Sequence, residues 1–98
     1  MKVNLDFTLF IDVIEFNPIK GKYLETYVNE FYEWYHFGKT INKSSSRGFV
    51  INEQIYSWNG KAFIDFMNQV YPESSAKLLE SDVTPGKEDS SLMYISLN

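Results

Sequence analysis

His36 is the only histidine in the chain, and Glu33 stands three residues before it on the same side of an expected helix. That E-x-x-H spacing holds metal in di-iron bundles, where a second copy and further carboxylates complete the ligand set. No second copy is present, and a zinc site on His36 would need carboxylates for its remaining ligands. A solvated histidine facing the negative end of a helix dipole accounts for it more simply. No metal site and no cofactor are expected. Glu30 and Glu33 could in principle share acid–base work. On the polar face of an amphipathic helix, solvated carboxylates are the plainer reading.

The remaining motifs fail on spacing. Gly38-Lys39-Thr40 resembles the end of a phosphate-binding loop, but Glu33 stands where the first glycine is required, and the motif closes a helix instead of opening one. Gly86-Lys87 is followed by Glu88 where a hydroxyl is needed. Ser44, Ser45 and Ser46 lie in no G-x-S-x-G elbow, and a triad would have to rely on one histidine. Asn42-Lys43-Ser44 matches a glycosylation sequon, which matters only for an exported chain. Lys39, Lys43 and Arg47 make one basic stretch, without the interleaved aromatics of a single-strand binding surface. Glu73, Glu80, Asp82, Glu88 and Asp89 make the region after Pro72 acidic, a pattern open to nucleic-acid mimicry or to simple solvation. No catalytic residue is assigned, and the chain is not expected to be an enzyme.

Composition narrows the class further. With 98 residues, 44% hydrophobic and 22% charged, the chain fits one globular domain spanning 1–98. There is no cysteine, which excludes disulfides and thiolate metal sites. Asp6 and Asp12 interrupt the first apolar stretch, so a secretory leader is not expected there. No apolar run reaches the roughly 20 residues of a membrane span. The expectation is a cytoplasmic protein. A net charge of −4 disfavours phosphate backbones and anionic lipids and suits a partner with a basic or mixed surface.

The elements that must position these groups follow from periodicity. Val3, Leu5, Phe7, Leu9, Ile11 and Val13 alternate as a strand, and Phe10, Ile14 and Phe16 make the even positions apolar as well. One long first strand is predicted, its second half covered on both faces or shifted by a bulge. Residues 22–37 change to helical period, with Leu24, Val28, Phe31 and Tyr35 inward beside Tyr27. Gly38 fits a helix C′ position. A polar loop over 40–48 leads to a strand or hairpin over 49–58. Asn59 is the expected cap of a second helix over 60–71, stopped by Pro72. A short helix over 73–80, a loop over 81–91 and a last strand over 92–97 complete the chain. The class is α+β: a small, at least partly antiparallel sheet with two main helices and one short helix packed on one face.

The functional expectation rests on ring surface. Eight Phe, seven Tyr and two Trp make 17% of the chain aromatic, and each ring can bury roughly 150–250 Å². Tyr23 and Trp34 lie along one margin of the first helix and Tyr32 along the other, more apolar arc than one core face requires. Tyr23, Tyr32 and Trp34 are the expected anchors of a partner, with Glu30 and Glu33 as rim charges steering the encounter. The expected function is a small acidic protein-binding module: an inhibitor, immunity protein or adaptor. Its composition resembles accessory products of AT-rich bacteria and phages. The alternative is a homo-oligomer or a structural subunit of a larger assembly, the long first strand pairing edge to edge. A nucleic-acid mimic, a nucleic-acid binder and a small enzyme rank below both.

Overall fold

The computed structural model describes residues 1–38 and 57–97. The first fourteen apolar-rich residues form a hairpin, not one strand: β1 (Lys2–Asp6) pairs antiparallel with β2 (Ile11–Glu15), Val3 opposite Ile14 and Leu5 opposite Asp12. Thr8 turns the chain with φ at 79°, its N–H bonded to Asp6 Oδ1 at 2.7 Å, and Phe7 N–H meets the Phe10 carbonyl at 3.0 Å. The reversal explains why the apolar positions pass from odd to even. Val3, Leu5 and Phe7 face the main core before the turn, and Ile14 and Phe16 face it afterwards. Leu9, which continued the odd series, sits at the tip and is exposed. Two-sided cover of the second half is correct, since Ile11 to Ile14 are all buried.

The region predicted as a short helix over 73–80 is one 3-10 turn, Pro72–Ser74, followed by strand β3 (Lys77–Val83). The loop expected from residue 81 therefore begins only after Val83. β3 runs antiparallel to β2 with irregularities between Ile11 and Val13 and between Val13 and Ile14. Asp82 takes φ of 58° within this bulged stretch. The last strand, β4 (Met93–Ser96), falls within the 92–97 reading, and it pairs parallel to β1. The sheet order is β3-β2-β1-β4. β1 and β2 thus occupy the centre, so the first segment offers no free edge for pairing with another copy.

α1 (Leu24–Glu33) continues into a π-helical turn, Trp34–Gly38, so Gly38 ends the element within that turn. α2 (Gly60–Val70) starts where expected, with Asn59 Oδ1 accepting the Ala62 N–H at 3.1 Å. Both helices bury Leu24, Tyr27, Phe31, Phe63, Phe66 and Met67 against Val3, Leu5, Ile14 and Phe16 of the sheet. Phe31 is the hub, with ring centroids 4.7 Å from Trp58, 5.1 Å from Phe63 and 5.7 Å from Phe66. Full burial of one such side chain is worth about 1.5–3 kcal/mol, and much of the aromatic surplus is spent here. On the other sheet face, Ile11 and Val13 lie outside the main core cluster. There the connection from β3 to β4 crosses the sheet, and Asn4 Nδ2 bonds the Asp89 carbonyl at 2.8 Å.

The expected loop over 40–48, the strand or hairpin over 49–56, the Gly38-Lys39-Thr40 motif beyond Gly38, the serine cluster and the basic stretch fall outside the described residues. Trp58, placed at the end of that strand, lies in a bend. No helix among the described residues is long and apolar enough to cross a membrane.

Candidate partner-binding face

The outer face of α1 carries Glu25, Asn29, Tyr32, Glu33 and His36, all exposed. Their spacing puts them on the side opposite Leu24, Tyr27 and Phe31. Of the three expected ring anchors, Tyr23 and Tyr32 are exposed, at 74% and 52%. A separation of nine residues sets them roughly 13 Å apart along the axis. Trp34 leans inward, 6.2 Å from Phe31 and 5.8 Å from Phe66, and is half-buried. Its position follows from the core side of the helix, where Phe31 sits one turn earlier.

Glu30 and Glu33 have separate fates. Glu33 is exposed. Glu30 bonds Lys22 Nζ at 2.8 Å and receives a short hydrogen bond from the Tyr71 hydroxyl. Lys22 also lies over two ring faces, 4.9 Å from the Tyr71 centroid and 5.6 Å from that of Tyr27. Burial works against the Glu30 charge, but the hydrogen bonds from Lys22 and Tyr71 prevail and hold the carboxyl below its ordinary range. The bonds from Glu30 and then Tyr71 hold Lys22 above the usual lysine range. Burial, then the bond to Glu30, pushes the Tyr71 phenol up. This trio fastens the start of α1 to the end of α2, and its charge is compensated internally.

At the other end of α1, the π turn widens the helix and each successive side chain lags behind its α-helical direction. Tyr32, Tyr35 and His36 gather there around Trp58 and Leu97, lining a predominantly apolar cavity of about 370 Å³. The rings are mutually inclined. Trp58 stands at 87° to Tyr32 and 77° to Tyr35, with centroids 6.0 and 4.8 Å apart, and Tyr32 lies 4.3 Å from His36. Trp58 is fixed from behind by Phe31, nearly parallel at 11°, and by its indole N–H, which donates to the Leu97 carbonyl at 2.9 Å. Tyr35, His36 and Trp58 were not among the expected anchors. A signal for Trp58 existed: it precedes the Asn59 cap by one residue and Phe63 follows that cap by four, the positions of a hydrophobic staple. Both rings do meet on Phe31.

A second cavity, of about 330 Å³, lies on the opposite sheet face beneath the β3–β4 crossover. Lys2 and Lys87 line it together with Glu80, Glu88 and Asp89, so its field is mixed. Glu88 accepts the Gly86 N–H and Asp89 accepts from Ser91, both within the crossover. These acids are thus tied to local turns, while Glu73 lies in the 3-10 turn and Asp82 in the bulge. No group of three or more His, Asp or Glu residues able to hold a metal occurs among the described residues.

Fold and face together define a small α+β protein: among the described residues, a four-stranded mixed, mostly antiparallel sheet with two α-helices and a 3-10 turn. No family model, curated protein or solved structure matches the chain.

Proposed function

We propose that the chain is a small acidic protein-binding module, an inhibitor, immunity protein or adaptor, that docks a basic or mixed protein surface through the outer face of α1. The observation that carries this reading is Tyr32: an exposed ring at the mouth of a ring-lined cavity, with Glu25 and Glu33 exposed on the same helix face. Large rings lose little rotamer freedom on binding and dominate interface energetics. Neighbouring carboxylates add steering toward a basic partner. Tyr23, about two and a half turns before Tyr32, is exposed on the opposite margin of the helix and lies outside this face. Trp34 serves as its inner support, and Glu30 contributes less charge than Glu33 because Lys22 compensates it. The cytoplasm is the proposed compartment.

The test is capture of partners from the native host with the intact chain, Tyr32→Ala, Glu33→Lys and, as a control on the far sheet face, Leu79→Ala. A specific partner should be retained by the control and weakened about 30-fold or more by Tyr32→Ala, the effect of a hot spot worth about 2 kcal/mol. Tyr32→Ala should leave stability within about 0.5 kcal/mol, as surface changes do. Equal retention by all four versions rejects this face.

A further inference from the structure

We propose that Asn59 is a site of spontaneous deamidation that Asp12 holds closed in the folded chain. Asn59-Gly60 is the only Asn-Gly pair in the sequence. Glycine, with no Cβ, leaves its backbone nitrogen the least hindered of attackers on a preceding side-chain amide. In the reaction, Gly60 N gives its proton to a base in solvent and bonds to Asn59 Cγ. The Cγ–Nδ2 bond breaks, and Nδ2 leaves as ammonia after taking a proton from water. Water then opens the succinimide ring at either carbonyl, which yields aspartate or isoaspartate at position 59.

The contacts around the pair keep the reacting atoms out of line. Gly60 is buried, and its N–H donates to Asp12 Oδ2 at 2.7 Å. A hydrogen bond to the protonated nitrogen and a carboxylate beside it both oppose the amide anion that must attack. Asn59 is extended, with φ −154° and ψ −178°, whereas ring closure requires Gly60 N to eclipse Asn59 Cβ. That rotation would draw the nitrogen off Asp12, and intramolecular attack depends steeply on alignment. Asn59 is anchored twice more: Oδ1 accepts the Ala62 N–H at 3.1 Å, and the main-chain carbonyl accepts the Phe63 N–H at 3.2 Å. Deamidation must therefore wait until the first turn of α2 opens. The same contact also makes the pair, because a Cβ at position 60 would lie 2.6 Å from Asp12 Cβ and only glycine fits after Asn59. Isoaspartate adds a methylene to the main chain between residues 59 and 60, and Gly60 then has no room to resume its place against Asp12.

The test is incubation of the full chain in mildly alkaline buffer, with residue 59 followed by peptide mass spectrometry that separates aspartate from isoaspartate. The chain unfolded in urea should deamidate at Asn59 at least about 10-fold faster than the folded chain, since only opened molecules react. Asp12→Ala should raise the folded rate about 10-fold, and hydrogen exchange at the Gly60 amide with it. Leu24→Ala, a core truncation on the other helix, should leave both rates within about 3-fold of the parent, as distant sites act independently. Asn59→Ser keeps a capping hydroxyl and should abolish the product. Asp12→Asn keeps the shape and loses the charge; it decides the matter if Asp12→Ala does not fold, and it too should exceed Leu24→Ala. Equal rates in the folded and unfolded parent overturn the closure. No product from the unfolded chain overturns the site. Rates in the Asp12 variants no higher than in Leu24→Ala overturn the part given to Asp12.

Discussion

The Asp12 carboxylate is buried in β2 and accepts the Gly60 N–H through Oδ2 at 2.7 Å, at the first turn of α2. Its other oxygen, Oδ1, accepts the Asp82 N–H at 2.9 Å in the bulged part of β3. One side chain therefore joins the central hairpin, the edge strand and the second helix. It also brings a negative charge to a helix N-terminus, where the dipole favours it.

That contact fixes residue 60 as glycine for want of space. A Cβ there would lie 2.6 Å from Asp12 Cβ and 2.8 Å from Oδ2. Alanine is ordinarily the better helix former by about 1 kcal/mol, yet Gly60→Ala should destabilise by about 2 kcal/mol through overpacking. Asp12→Ala should cost about 2–3 kcal/mol, since the buried Gly60 N–H and the partly buried Asp82 N–H lose their acceptor. Urea unfolding of both variants checks the pair. A Gly60→Ala chain as stable as its parent would contradict the geometry.

The Lys22–Glu30–Tyr71 trio sets a pH dependence whose direction follows from linkage. Glu30 titrates lower folded than unfolded, so its stabilisation is complete above the ordinary glutamate value and is lost as pH falls through the folded one. Lys22 titrates higher folded, so its share is complete below the ordinary lysine value and is lost only as strongly alkaline pH passes the folded one. Thermal midpoints should therefore drop on acidification, and Glu30→Gln should flatten that drop. Identical acid profiles for parent and variant would exclude this role.

Thr8 holds the β1–β2 turn at φ 79°, a region that suits glycine far better than a β-branched residue. Thr8→Gly keeps the backbone N–H bonded to Asp6 and releases strain of about 1–2 kcal/mol. Part of that gain is offset by the added freedom of the unfolded chain. A modest rise in the denaturation midpoint is expected, and a fall would speak against the turn as described.

Trp58→Phe preserves a ring against Phe31 and deletes the indole N–H held by the Leu97 carbonyl. The expected loss is about 1 kcal/mol. Amide exchange should accelerate most at Leu97, whose N–H is bonded to the Asp6 carbonyl beyond the end of β4. Unchanged exchange there would detach Trp58 from the C-terminal strand.

The wrong readings of the sequence have physical causes. Lys77, Leu78, Leu79 and Glu80 are good helix formers, and β3 alternates on neither face because six of its seven residues are exposed. Nothing local marks it as a strand; pairing with β2 does. The hairpin was hidden because Leu9, exposed at the tip, continued the alternation begun in β1. The change of apolar parity after it was the visible trace of the reversal. At the candidate face, helical period placed Tyr32 and Glu33 outward as expected, but could not separate Glu30 from Glu33. That difference depends on Lys22 and Tyr71, the latter 41 residues away.

The order of residues was sufficient for what depends on near neighbours: the amphipathic helix α1, the Asn59 cap and α2, and the last strand. Tertiary structure alone decided which rings were absorbed around Phe31 and which remained outside, that β3 is a strand, and that Asp12 requires glycine at position 60. These are contacts between segments distant along the chain, and periodicity, which records only the direction a side chain leaves its own element, holds no information about what that side chain will meet.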